Sequence, residues 1–175
     1  MNERWNLDPI YTGFNDPAFE ADMQELKGMV EKITAFAESL SNAEPLAGLT
    51  QGVALEERFS ELVSKLAGFA SLRQSADTRD SEAGSKMGQV MQLYSGVAAP
   101  FAAFKDWATK IPNLMELVKA DENLRDYTFM FENMADSARY LLPGVGEAVM
   151  AKMSLSGGDA WSEMQQYLTS TVPVT

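Results

Sequence analysis

Residues 16–40 read DPAFEADMQELKGMVEKITAFAESL, and this stretch decides the fold. Asp16 is an N-cap residue type, and Pro17 stands in the first helical position, where its missing N–H would be unpaired anyway. Phe19, Met23, Leu26, Val30, Ile33, Ala37 and Leu40 alternate spacings of four and three, which lays one apolar stripe along a helix running to about Ser41. Working outward, Asn42 to Gly52 holds Pro45, Gly48 and Gly52 and reads as a connector. Leu55, Phe59, Leu62, Leu66 and Phe69 repeat the pattern through about Ser75, so a second helix can lie antiparallel to the first.

The remaining chain continues the same theme. Asp80 is placed to cap a third helix with Met87, Val90, Tyr94, Val97 and Phe101 on its inner face, kinked or restarted near Pro100. Ile111-Pro112-Asn113 closes one helical piece and starts a short one to Val118. Asp121 opens a fourth long helix carrying Leu124, Tyr127, Phe131, Met134, Ala138 and Leu141, ended by Pro143-Gly144. Shorter helices are expected over Val145–Met153 and Ala160–Thr169, the second capped by Asp159, before an extended tail from Thr171 to Thr175. No strand–helix alternation or fixed repeat is present. The expected fold is an all-α bundle of long antiparallel amphipathic helices with shorter C-terminal helices, forming a single domain over residues 1–175.

Composition narrows the chemistry. None of the 175 residues is histidine or cysteine. Zinc sites are usually built from imidazole and thiolate, so the chain is a poor independent zinc enzyme, and Ser-His-Asp or Cys-His catalysis is excluded. A chain of this length buries roughly 70% of its unfolded surface and needs no staple. Fourteen Lys and Arg against twenty-five Asp and Glu give a net charge of −11, which disfavours nucleic acid as a partner. Met1–Asp8 has neither a signal nor a lipidation pattern, and Val97–Phe104 is far short of the ~20 apolar residues of a membrane span. The expectation is a cytoplasmic protein with no membrane contact.

Several groupings are candidate sites. Asp77, Asp80 and Glu82 suggest an ion loop, but Glu82 stands where a calcium loop begun at Asp77 needs glycine, so helix capping is the better reading. Gly144-Val145-Gly146 has Val149 in place of the third glycine of a dinucleotide loop and follows a helix, which makes it a turn. Glu56-Glu57 and Asp121-Glu122 are read as carboxylates at helix starts, favoured by the dipole. Trp5, Trp107 and Trp161, with eleven Met and nine Phe, either pack the core or line a groove. Trp5 and Trp161 fall outside the long stripes and are the candidates for interdomain contact.

The order of motifs is specific. Trp5-Asn6-Leu7-Asp8-Pro9-Ile10-Tyr11, then Asp16-Pro17 and a long helix, Ala76-Asp77-Thr78-Arg79-Asp80 between two helices, Leu141-Leu142 and Glu147, Gly158-Asp159-Ala160-Trp161 and Leu168-Thr169-Ser170 follow in sequence. Together they resemble the N-terminal domain of oligoendopeptidase F, in the thimet-type M3 metallopeptidases. One departure is Pro143-Gly144-Val145-Gly146, where relatives show a polar, acidic helix start. The resemblance implies a helical domain forming one wall of a channel that admits short peptides. It also implies a zinc cofactor in the parent enzyme, held by a His-Glu-x-x-His helix that would follow residue 175, so no catalytic, cofactor or metal residue is assigned in this chain. The implied partners are the catalytic domain of the same parent and short peptides, and a homodimer of the isolated chain is one way to cover the face left bare. The alternative is a free-standing acidic helical bundle that binds a protein or peptide. A third reading is a small enzyme working through carboxylates and tyrosine.

Overall fold

The computed structural model describes residues 6–77, 79–140, 149, 153, 157–158 and 160–171. In chain order these form α1 (Pro17–Ser39), α2 (Pro45–Ala76), α3 (Ser81–Gly96), α4 (Ala98–Thr109), α5 (Leu114–Ala120), α6 (Thr128–Ala138) and α7 (Ala160–Thr171), with 3-10 turns over Leu40–Asn42 and Arg125–Tyr127. The described residues contain no strand, as the all-α reading expects, and no helix long and apolar enough to cross a membrane. The chain divides into two compact units, Met1–Met134 and Ala135–Thr175.

In the first unit α1 and α2 form an antiparallel hairpin. Asp22 of α1 meets Lys65 of α2, and Glu25, farther along α1, meets Arg58, earlier on α2. Asp16 caps α1 through the bond that Ala18 N–H donates to its Oδ1, and its Oδ2 accepts from the Thr12 N–H and hydroxyl. The buried face of α1 is Phe19, Met23, Leu26, Met29, Ile33 and Phe36, continued by Leu40. Val30 and Ala37, expected within the stripe, flank it half-buried, because at 3.6 residues per turn the centre of the face drifts back from a strict seven-residue repeat.

The expected connector over 42–52 is much shorter. Glu44 accepts from the N–H groups of Leu46 and Ala47, Pro45 takes the first helical position, and α2 runs straight through Gly48 and Gly52. Both glycines are buried because rings lie on them. A Cβ at Gly48 would sit 2.5 Å from Cη2 of Trp107, and one at Gly52 would be closer still to Cε2 and Cζ of Phe104. Among the described residues no glycine has a positive φ, so these two provide space and not a backbone conformation.

Asp80 caps α3, as expected, accepting from Ala83 N–H at 3.0 Å. The break before α4 falls at Val97, three residues ahead of Pro100. That register puts Pro100 in the first turn of α4, where a missing N–H costs nothing, whereas continuing α3 through it would remove an internal hydrogen bond. The fourth long helix starts later than expected. Asp121 Oδ1 accepts from the N–H groups of Asn123 and Leu124, and this side-chain bonding holds a turn in place of a helix until Thr128.

Two apolar clusters result. One gathers Tyr11, Phe14, Phe19 and Phe69 with the inner faces of α1, α2 and α3. The other gathers Phe36, Leu49, Phe104, Val118, Leu124 and Phe131 around the far end of the hairpin. Each fully buried Phe or Leu contributes roughly 1.5–3 kcal/mol of transfer free energy.

In the second unit α7 spans Ala160–Thr171, matching the helix expected over 160–169. Ser162 Oγ donates to the Gly158 carbonyl one turn back. Of the helix expected over 145–153, only Val149 and Met153 are described, both helical. Asp159, the Pro143–Gly146 turn and the tail from 172 onward lie outside the described residues.

Candidate functional site

The groupings singled out in the sequence resolve into structural roles. Asp80 Oδ2 accepts from Arg73 at 3.1 Å while its other oxygen caps α3, so one carboxylate ties the end of α2 to the start of α3. The Ala83 backbone N–H, helped by Arg73, holds that carboxyl below its usual range. Asp77 accepts from the Arg79 N–H. Among the described residues no three Asp or Glu side chains converge in a way that could hold a metal ion.

Glu56 and Glu57 correct their sequence reading. They lie three turns inside α2, not at its start, so the helix dipole does not explain them. Glu57 reaches Tyr127, whose hydroxyl it holds in the protonated form by hydrogen bonding, with burial adding to the effect. Glu56 faces elsewhere. It lines an open groove of 310 Å3 where α2, α3 and α4 meet, with Phe59, Tyr94, Phe101 and Lys105 around it. Tyr94, expected in the core, is 56% exposed because it forms the rim of this groove, its ring near-parallel to Phe59 at 6.3 Å. Phe101 meets Phe59 edge-on at 5.9 Å. One oxygen of Glu56, Oε2, is shut off from solvent and receives no hydrogen bond.

A polar layer clasps the opposite side of the hairpin. Tyr11 Oη donates to Asp22 Oδ2 at 2.5 Å, Lys65 Nζ donates to the same oxygen at 2.7 Å, and the Lys65 ammonium lies 4.5 Å from the centre of the Tyr11 ring. Burial of Asp22 pushes its carboxyl up, but the bonds from Lys65 and Tyr11 outweigh this and hold it below the ordinary value. Burial, then the bond to Asp22, raises the Tyr11 hydroxyl well above its ordinary value. These groups lock two helices together and present no open substrate position.

Of the two residues expected at an interdomain contact, Trp5 lies outside the described residues. Trp161 is on α7 and 68% exposed. Met164 and Leu168 follow it at spacings of three and four, so the three occupy one face of the helix, all exposed. Trp107 is instead part of the core of the first unit, half-buried on Gly48. Sequence reasoning missed the Glu56 groove, because an acidic residue between apolar positions on a helix looks like an ordinary solvated one.

The comparisons with known proteins bear on the C-terminal part of the chain. Residues 112–172 match the family model described as Oligopeptidase F, for the N-terminal domain of M3 peptidases. The family is the one that the motifs resemble. The matched residues take in α5, α6 and α7, including Trp161. No curated protein and no solved structure matches the chain.

Proposed function

We propose that this chain is the non-catalytic N-terminal domain of an oligopeptidase F-like zinc metallopeptidase, forming part of the wall of a channel that admits short peptides. The observation that carries the reading is the family match over residues 112–172. The donor set points the same way. The chain offers no imidazole or thiolate, and the described carboxylates do not converge, so its residues do not fit a catalytic zinc and no step through that metal is assigned to them. The domain acts through access and positioning, which change rate without supplying a reacting group. The exposed face of Trp161, Met164 and Leu168 is the surface offered to the catalytic half, since apolar side chains gathered on one helix face mark contact surfaces.

The test uses quenched fluorescent peptides of graded length. The purified chain with zinc should give no turnover, and adding it to a separately expressed oligopeptidase F catalytic half should raise cleavage of short peptides. Trp161→Ala should weaken that gain. Turnover by the chain alone that survives chelator, or indifference of the catalytic half to its addition, overturns the proposal.

A further inference from the structure

The turn between α1 and α2 is short, and it ends abruptly. Ala43 and Glu44 are both extended, at φ −76°, ψ 139° and φ −67°, ψ 132°, and α2 begins at the next residue, Pro45. A proline pushes its predecessor out of the helical region, and inside a helix its ring would meet the Ser41 carbonyl four residues back. The residues around it favour helix. Leu40, Ala43, Glu44, Leu46 and Ala47 are all strong helix formers, so Pro45 is the one firm break between helices of 23 and 32 residues. The Glu44 carboxylate seals that break, accepting from Leu46 N–H at 3.2 Å and Ala47 N–H at 2.7 Å. A continuous helix would instead turn those two donors onto the carbonyls of Asn42 and Ala43.

The break matters because of what α1 packs against. It lies on α2, α3 and α4, all of which follow the turn in the chain. A second copy could therefore supply those surfaces, including Arg58 for Glu25 and Lys65 for Asp22, and the closed chain and an exchanged pair would differ chiefly at the turn. We propose that Pro45 is a block against exchange. It keeps the hairpin within one chain by preventing α1 and α2 from fusing into a single helix that would hand α1 to a second copy. The inference does not depend on the peptidase reading, because it uses only residues of the first unit outside 112–172.

The chain has no cysteine, so introduced cysteines report on exchange without interference. Two forms of the full chain, one with Glu25→Cys and one with Arg58→Cys, are mixed, unfolded in denaturant, refolded together and treated with a short bismaleimide. The two chains become covalently joined where α1 of one lies on α2 of the other, and association through another face does not bring those helices together. With Pro45 in place, joined chains should be scarce. Pro45→Ala in both forms should raise the joined fraction at least about tenfold, and that fraction should climb with protein concentration. Pro45→Gly removes the ring without favouring helix, so its yield should fall between those of proline and alanine. Circular dichroism melts establish that each variant is folded. Equal joined fractions with Pro45 and with folded Pro45→Ala would overturn the proposal. So would a folded Pro45→Gly that exchanges as much as Pro45→Ala, since looseness of the turn and not helix fusion would then be the cause.

Discussion

The two apolar clusters of the first unit are built on different principles. Around Tyr11, Phe14, Phe19 and Phe69 the rings meet edge to face, with centroids 5.1–5.3 Å apart in four of the pairs, and Lys65 and Arg73 lie over the outer rings. This cluster is made by adding large side chains. At the far end of the hairpin Phe104 and Trp107 are stacked at 6.2 Å and rest on a helix surface from which side chains are missing, at Gly48 and Gly52. That cluster is made by removal. The first should therefore suffer most from truncation and the second from the smallest enlargement.

Truncation gives the largest expected effect. Phe19→Ala removes a side chain that is 0% exposed and central to the aromatic cluster, and should cost about 3–5 kcal/mol in denaturant unfolding. A cost under 1 kcal/mol would mean that the cluster refills the space. Enlargement comes next. Gly52→Ala drives a methyl group into the Phe104 ring, which is itself fully buried and has nowhere to move, and should cost about 1–3 kcal/mol even though alanine favours helix. Phe104→Leu in the Gly52→Ala background should recover part of that loss, and strict additivity of the two changes would show that the ring and the glycine do not interact.

A comparable effect tests the first cluster by pH. Tyr11→Phe removes the bond to Asp22 and should cost about 1.5–3 kcal/mol at pH 7, as for a hydrogen bond to a charged group. Because the folded Tyr11 hydroxyl is raised above its ordinary 10.0, its contribution is complete below pH 10 and fades as pH rises towards the folded value. The gap between wild type and Tyr11→Phe should then narrow in alkali. Asp22 works in the other direction. Its carboxyl is held below the ordinary 3.8, so its contribution is present above that pH and is lost as pH falls through the lower folded value. Equilibrium unfolding across both limbs checks the two signs. Smallest of all, Gly68→Ala places a Cβ in open space on α2 and should stabilise by about 0.5–1 kcal/mol. If Gly68→Ala and Gly52→Ala gave the same result, the glycine surface would not be what seats Phe104.

The same contrast explains what could be read from the residues alone. Spacing revealed α1, α2 and the all-α class, because apolar side chains repeating at three and four leave a signal in order alone. Asp16 and Asp80 were legible as caps for a similar reason. Gly48 and Gly52 were not, since glycine usually breaks a helix and only the rings of a helix fifty residues later show what their bareness is for. Asp121 misled because a capping residue type can hold a turn as well as start a helix. Glu56 was illegible because its significance lies in a missing donor, which no pattern of residue types displays.

One consequence of the ion pairs across the hairpin concerns alignment. The acidic residues Asp22 and Glu25 on α1 answer Lys65 and Arg58 on α2, an order that a slip of one helical turn would break. If α1 slipped by one turn, about four residues, Asp22 would come to lie opposite Glu61 and Glu25 opposite Ala54, and both bridges would be lost. Greasy stripes tolerate such a shift far better than point charges do. The two bridges thus act as an alignment key, whose value is measured less by what they add to the correct pairing than by what they withhold from the wrong ones.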